Sequence, residues 1–254
     1  MKAHERVTKA IAAANDDGRT ALVPFITAGY PEPKGFITTL QSVAAVGDVV
    51  ELGIPFSDPM ADGMTIQRSS FEALQKGVSL AWIFDELEES GGIDAPLVMM
   101  SYLNPLLAFG YENLARRALE TGVCAFIVPD LPYEESDEIR SALEAQGLAL
   151  IQLVTPATPD DRLQTLCSAS KGFVYAVTIT GITGGDTGLP VDLADYLDKV
   201  AAISKIPVCA GFGIREAADV AAVGKHAAGA IVGSALVEVL ERGEDPATFL
   251  RSLR

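Results

Sequence analysis

Along the whole chain, short apolar runs rich in β-branched residues alternate with longer stretches of helical periodicity. Antiparallel strands can be joined by tight turns, but parallel strands need a crossover of a dozen or more residues, usually a helix. This alternation therefore points to parallel strands joined by helices. Strand-like runs cover Ala21–Thr27, Asp48–Leu52, Leu97–Ser101, Cys124–Val128, Ala149–Val154, Phe173–Val177, Pro207–Ala210 and Ala228–Val232. Helical patterns cover Lys34–Val46, Thr65–Lys76, Leu80–Glu89, Glu112–Thr121, Glu134–Gln146, Pro159–Ser168, Leu193–Ile203, Arg215–Val223, Ser234–Arg242 and Pro246–Ser252. An extra N-terminal helix is expected over Ala3–Ala14. Eight strand–helix units in 254 residues match an α/β fold of the (β/α)8 TIM barrel class. No linker, charge block or low-complexity segment divides residues 1–254, so a single TIM-barrel domain is expected.

Composition narrows the function classes. Hydrophobic content of 49% with 21% charged residues is that of an ordinary globular chain rather than a disordered one. A formal charge of −15 argues against nucleic acid and anionic membrane as partners, because phosphate backbones repel it. A small phosphorylated substrate stays open, since local backbone N–H groups outweigh a distant net field. The charged start Met1-Lys2-Ala3-His4-Glu5-Arg6 does not read as a signal peptide, and no apolar run approaches membrane-spanning length. Cys124, Cys167 and Cys209 are widely spaced, as expected of buried, reduced thiols in a cytoplasmic protein.

In a (β/α)8 barrel the chemistry sits at the C-terminal ends of the strands. One stretch there is dense in reactive side chains: Val50-Glu51-Leu52-Gly53-Ile54-Pro55-Phe56-Ser57-Asp58-Pro59-Met60-Ala61-Asp62-Gly63. Its prolines and glycines end a strand and turn over its top. Glu51 ends the strand, and Asp62 follows eleven positions later on the loop. A carboxylate at an apolar barrel mouth loses solvation, which raises its pKa toward the range useful for proton transfer. Ser57, Asp58 and Asp62 also fit as turn and cap residues before the next helix. Tyr102 and Asn104 follow the third strand, Tyr175 lies within the sixth and Thr183 follows it. His4 and His226 fall on the wrong side of their strands for catalysis, and no lysine stands at a strand's C-terminal end as an imine-forming enzyme requires. No histidine, cysteine and carboxylate cluster has zinc spacing, so no metal is expected. Acid–base chemistry by carboxylates remains.

Three glycine-rich pieces follow the last three strands: Thr180-Gly181-Ile182-Thr183-Gly184-Gly185, Gly211-Phe212-Gly213-Ile214 and Gly233-Ser234. The last opens a helix, whose N-terminal N–H groups and dipole favour an anion. Glycine is also the default turn residue, but all three pieces fall in the loops where this fold usually binds phosphate. Thr178–Pro190 is too glycine-rich for a helix and reads either as a lid over the site or as an ordinary long surface loop.

The Val50–Gly63 stretch closely resembles the tryptophan synthase alpha subunit family. Pro24-Phe25-Ile26-Thr27-Ala28-Gly29-Tyr30-Pro31, Tyr102-Leu103-Asn104-Pro105, Val128-Pro129-Asp130-Leu131-Pro132 and the three glycine pieces match in order and spacing, so the likeness covers most of the chain. The resemblance implies a lyase of tryptophan biosynthesis. It would cleave indole-3-glycerol phosphate to indole and glyceraldehyde 3-phosphate by a cofactor-free retro-aldol step. It further implies Glu51 as general acid and base, Asp62 as acceptor of the indole N–H, and Tyr175 and Thr183 as positioning residues. Gly184, Gly213, Gly233 and Ser234 would hold phosphate, and Leu22, Met100, Ile127, Leu153 and Phe212 would form the indole slot. Leu22 stands here as a departure from the family's usual aromatic ring, and Gly185-Asp186 as a more acidic, looser lid. A pyridoxal-phosphate-dependent beta subunit is the implied partner in an α2β2 heterotetramer, with Pro55–Asp62, Thr178–Pro190 and the Asn104 region at the interface. A stand-alone lyase that releases free indole is the enzymatic alternative, and a silent activating subunit the non-enzymatic one.

Overall fold

The structure is a computed structural model that describes residues 1–178, 191–211 and 213–254. The chain opens with α1 (Ala3–Asp16) and β1 (Ala21–Thr27), then α2 (Phe36–Ala44) and β2 (Val50–Gly53). Two helices, α3 (Met64–Gln75) and α4 (Leu80–Glu89), lead to β3 (Leu97–Met100). Another two, α5 (Leu103–Phe109) and α6 (Tyr111–Glu120), lead to β4 (Val123–Ile127), followed by α7 (Asp137–Ala145). Next come β5 (Ala149–Ile151), β6 (Leu153–Val154), α8 (Asp160–Ala169), β7 (Val174–Val177) and α9 (Val191–Ile203). The chain ends with β8 (Val208–Gly211), α10 (Ala217–Val223), β9 (Gly229–Val232), α11 (Ser234–Glu241) and α12 (Pro246–Ser252).

The nine strands are parallel and lie in the order β5-β4-β3-β2-β1-β9-β8-β7-β6. The two ends of that order, β5 and β6, are halves of the single strand expected over Ala149–Val154, so the sheet curls into a nearly closed TIM barrel. The strand is interrupted at Gln152, whose N–H donates to the Ser170 hydroxyl (3.0 Å) rather than to a strand. Its carbonyl still accepts from the Tyr175 N–H (3.0 Å).

Most expected elements appear within a residue or two of their limits. The helix expected from Arg215 starts at Ala217, because the Asp219 carboxylate accepts from the N–H groups of Arg215 (2.8 Å) and Glu216 (3.0 Å) and caps it there. The stretches Lys34–Val46 and Glu134–Gln146 each begin with one turn of 3-10 helix before the α-helix. Leu103–Phe109 is a further helix outside the expected set.

Side-chain alternation along the strands divides the core into two layers. Leu22, Ile26, Val50, Leu52, Leu97, Met99 and Phe126 pack outward against the helices. Ala21, Val23, Val49, Val98, Cys124, Ile127, Phe173 and Cys209 fill the interior together with Val7, Ile11 and Ala14 of α1. The helical spacing of those three residues thus plugs the N-terminal end of the barrel and leaves the C-terminal mouth as the open end. Among the described residues no helix is long and apolar enough to cross a membrane.

Candidate active site

A cavity of about 340 Å³ lies at the C-terminal mouth of the barrel. β2 delivers Glu51 to it: Val50 and Leu52 face the helices, so the residue between them faces inward. Glu51 is 1% exposed and sits in register with Phe25 on one side and Val98 on the other. Its Oε2 has no hydrogen-bond partner among the described residues. Burial, and secondarily the Asp62 carboxylate, push its pKa up to about 8, so the neutral acid predominates at pH 7.

Asp62 is placed by the loop after β2. Its N–H donates to the Pro59 carbonyl (3.1 Å), and its carbonyl accepts from the Gln67 side chain (2.8 Å). Its Oδ2 accepts a hydrogen bond from the Tyr102 hydroxyl (2.9 Å), and that hydroxyl accepts one from the Ala61 N–H (2.8 Å). Burial raises the Asp62 pKa, and the Tyr102 hydrogen bond opposes the rise. The Tyr102 ring stacks on Phe56 with centroids 4.9 Å apart.

Tyr175, on β7, forms the wall beside both carboxylates, and burial followed by their charge holds its phenol far above its ordinary pKa. The close approach of its ring explains Gly211: a Cβ there would stand 2.6 Å from the Tyr175 hydroxyl oxygen. Gly53 serves Phe25 in the same way, since a Cβ would lie 2.4 Å from that ring. Behind Glu51, burial raises the pKa of the Cys209 thiol, and the Glu51 charge adds to the rise.

The rest of the wall is backbone-rich. Gly211, Gly213, Gly233, Ser234 and Ala235 line it, with Gly233 as the N-cap of α11. Gly213 has φ +33°, in the range that favours glycine. The first N–H groups of a helix have no intrahelical acceptor, so the start of α11 presents donors and positive dipole to the cavity. Arg215 also lines it, with its guanidinium forked onto the Glu238 carboxylate (2.9 and 3.2 Å).

Glu51, Asp62, Tyr175, Met100, Leu153, Gly213, Gly233 and Ser234 therefore share one cavity. Two expected slot residues do not line it. Leu22 faces the helices, because on β1 the inward positions are Ala21, Val23 and Phe25, and it is Phe25 that brings an aromatic ring to the cavity. Ile127 points inward but is fully buried in the packed interior, and Pro129 lines the cavity from that segment. Thr183, Gly184, Phe212 and the lid segment Thr178–Pro190 beyond its first residue lie outside the described residues. Val177 and Ile231, which the sequence reading missed, add to the apolar wall. No polarity pattern marks Phe25 or Ile231, because every residue of β1 and β9 is buried, and no local signal marks the Tyr102 contact. His226 lies outside the cavity, with its Nδ1 2.8 Å from Asp198. Among the described residues no three His, Cys, Asp or Glu side chains are grouped as metal ligands.

The family model described as tryptophan synthase alpha chain matches residues 11–253. A tryptophan synthase alpha chain from Roseiflexus sp. is 43% identical over 258 residues, covering 98% of this chain and 99% of the relative. One from Xanthomonas campestris is 42% identical over 267 residues, covering 100% and 97%. Among solved structures, tryptophan synthase subunit alpha from Legionella pneumophila superposes with a TM-score of 0.88 at 32% identity, covering 100% of this chain and 97% of that one. A chain of tryptophan synthase from M. tuberculosis in an open form with BRD0059 bound gives 0.87 at 31%, covering 98% and 96%. A barrel mouth that brings Glu51 and Asp62 into one cavity with the glycine-lined start of α11 thus sits in a chain that belongs to the tryptophan synthase alpha chain family.

Proposed function

We infer that this cavity cleaves indole-3-glycerol phosphate to indole and glyceraldehyde 3-phosphate. The observation that carries the reading is Glu51: a buried carboxyl with an unpartnered oxygen, neutral at pH 7, sharing a cavity with Asp62. The bond between indole C3 and the side-chain C1′ breaks only when the ring can leave as neutral indole. Glu51 donates its proton to C3, and the ring nitrogen becomes an imine-like cation whose N–H is held by the anionic Asp62. The resulting Glu51 carboxylate then takes the C1′ hydroxyl proton. The C1′ carbonyl forms, the C3–C1′ pair returns to the ring, and Glu51 regains its proton. Tyr175 packs beside both carboxylates and positions them, with Thr183 proposed to close over Asp62.

Phe25, Met100, Leu153 and Ile231 offer the indole ring an apolar slot. The α11 start, with Gly213, Gly233 and Ser234, offers N–H groups and dipole to the phosphate, and Gly184 is proposed to join them. The chemistry needs only proton donors and acceptors, so no cofactor is assigned to this chain; pyridoxal phosphate belongs to the beta subunit. That subunit receives the indole for tryptophan synthesis in an α2β2 heterotetramer. The free, buried cysteines Cys124, Cys167 and Cys209 support a cytoplasmic setting.

Indole release from indole-3-glycerol phosphate, measured with the purified chain alone and with beta subunit, tests this reading. Release strongly stimulated by the beta subunit is the expected result. Fast release without stimulation would identify a stand-alone lyase, and no release in either case would defeat the assignment.

A further inference from the structure

Two carboxyl groups share this cavity, and the proposed reaction needs them in opposite states, one carrying a proton and the other a charge. Burial raises both, so burial alone does not divide the roles. The hydrogen bonds at Tyr102 do. Its hydroxyl is already the acceptor for the Ala61 N–H (2.8 Å), so its own proton goes to Asp62 Oδ2 (2.9 Å). A hydroxyl proton aimed at a carboxyl oxygen favours the ionised form of that carboxyl. Glu51 Oε2 receives no comparable donor among the described residues.

We propose that Tyr102 is a positioning residue that assigns the charge in the site, holding Asp62 as the anion and leaving the proton to Glu51. The phenol is well placed for this. It is 3% exposed, stacked on Phe56, and fixed at the start of α5, where the next N–H, of Leu103, donates to Asp130 Oδ1 (2.9 Å). By accepting from Ala61 it also ties the loop after β2 to the loop after β3, so the same oxygen sets both the position and the charge of Asp62. The ionisable groups around the pair offer no substitute. Glu51 faces Asp62 from β2 and Tyr175 from β7, Cys209 stands behind Glu51 on β8, Asp130 faces Tyr102 from the loop after β4, and Asp58 lies on the Asp62 loop. All of these are acids, and Arg215, the cation that lines the cavity, is forked onto Glu238, so among the described residues the Tyr102 hydroxyl is the group that favours the Asp62 carboxylate.

The proposal rests on the lyase reading for its catalytic consequence, but its physical content is testable without substrate. Tyr102→Phe keeps the ring and its stack on Phe56 and removes only the hydroxyl. In the ligand-free chain, the Asp62 carboxyl is titrated by carbon-13 NMR in wild type and in Tyr102→Phe, with Asp62→Asn assigning its resonance. The midpoint is expected to move to higher pH in the variant; an unmoved midpoint overturns the proposal. With beta subunit present, the acid limb of the kcat/KM profile should move upward, and kcat at pH 7 should fall about 10- to 100-fold, the loss of one hydrogen bond to a charged group. A loss of rate with the acid limb in place would reduce Tyr102 to a loop anchor and overturn the charge assignment. Wild-type chain that fails to cleave the substrate would instead defeat the lyase reading, and the ligand-free titration would still decide the role of Tyr102.

Discussion

Asp48 and Glu51 stand three positions apart, one just before β2 and one within it, and both lose solvation in the fold. At Asp48, on the closed side of the barrel, the loss is offset. Oδ2 accepts from the Leu22 N–H (2.8 Å) and pairs with Arg254 (3.0 Å), and Oδ1 lies 3.5 Å from Arg19. Burial still lifts its pKa, but the Leu22 N–H and the Arg19 cation pull it back. At Glu51, on the side of the open mouth, Oε2 has no partner among the described residues, and the Asp62 carboxylate adds a charge of like sign. Burial with partners makes a structural carboxylate. Burial without them makes a proton carrier near neutral pH, at a cost in stability that the rest of the core must offset.

The sharpest way to break this contrast is Glu51→Gln, which keeps shape and removes the proton. Turnover should fall by about 100- to 10,000-fold, the usual range for a general acid–base group, while affinity for glycerol 3-phosphate, followed by calorimetry, stays within about twofold. Asp62→Asn should lower kcat by about 100- to 1,000-fold, as expected when a charge that stabilises a developing cation is lost. A mild effect in stopped-flow indole release would leave Glu51 as the sole essential carboxyl. Gly211→Ala should cost about 100-fold in kcat, because its methyl group displaces Tyr175 against both carboxylates, together with about 1–3 kcal/mol of stability by urea titration.

The smaller effects concern stability alone. Glu51 has a folded pKa of about 8, above its ordinary 4.5. Its ionisation therefore withdraws stability as pH rises from 4.5 through about 8. Glu51→Gln is spared that loss and should gain on wild type by a few kcal/mol (order of magnitude) between pH 5 and pH 9, read by chemical denaturation. Equal stability curves would mean that Glu51 is solvated after all. Asp48→Ala should do the reverse, losing about 1–3 kcal/mol with kcat unchanged, because it strands the Leu22 N–H and two arginines and touches nothing in the cavity.

The alternation of runs was enough to read the barrel, and Glu51 and Asp62 stood out because acids at a strand end and in its loop have few structural excuses. Leu22 faces away from the expected slot for a reason that polarity does not reveal. All seven residues of β1 are buried, some by helices and some by the barrel interior, so polarity along the strand does not mark which face is which. The break at Gln152 depends on Ser170, eighteen positions away, and the Tyr102 bridge on a loop forty positions earlier. Contacts of that span follow from the closed barrel and leave no local trace.

Titration of the Glu51 carboxyl in the ligand-free chain by carbon-13 NMR, with Glu51→Gln to assign its signal, reaches the central claim most directly. An unpartnered, buried acid should titrate with a midpoint near 8. A midpoint at the ordinary 4.5 would show a solvated or paired carboxylate, already deprotonated at pH 7 and with no proton to give to the ring.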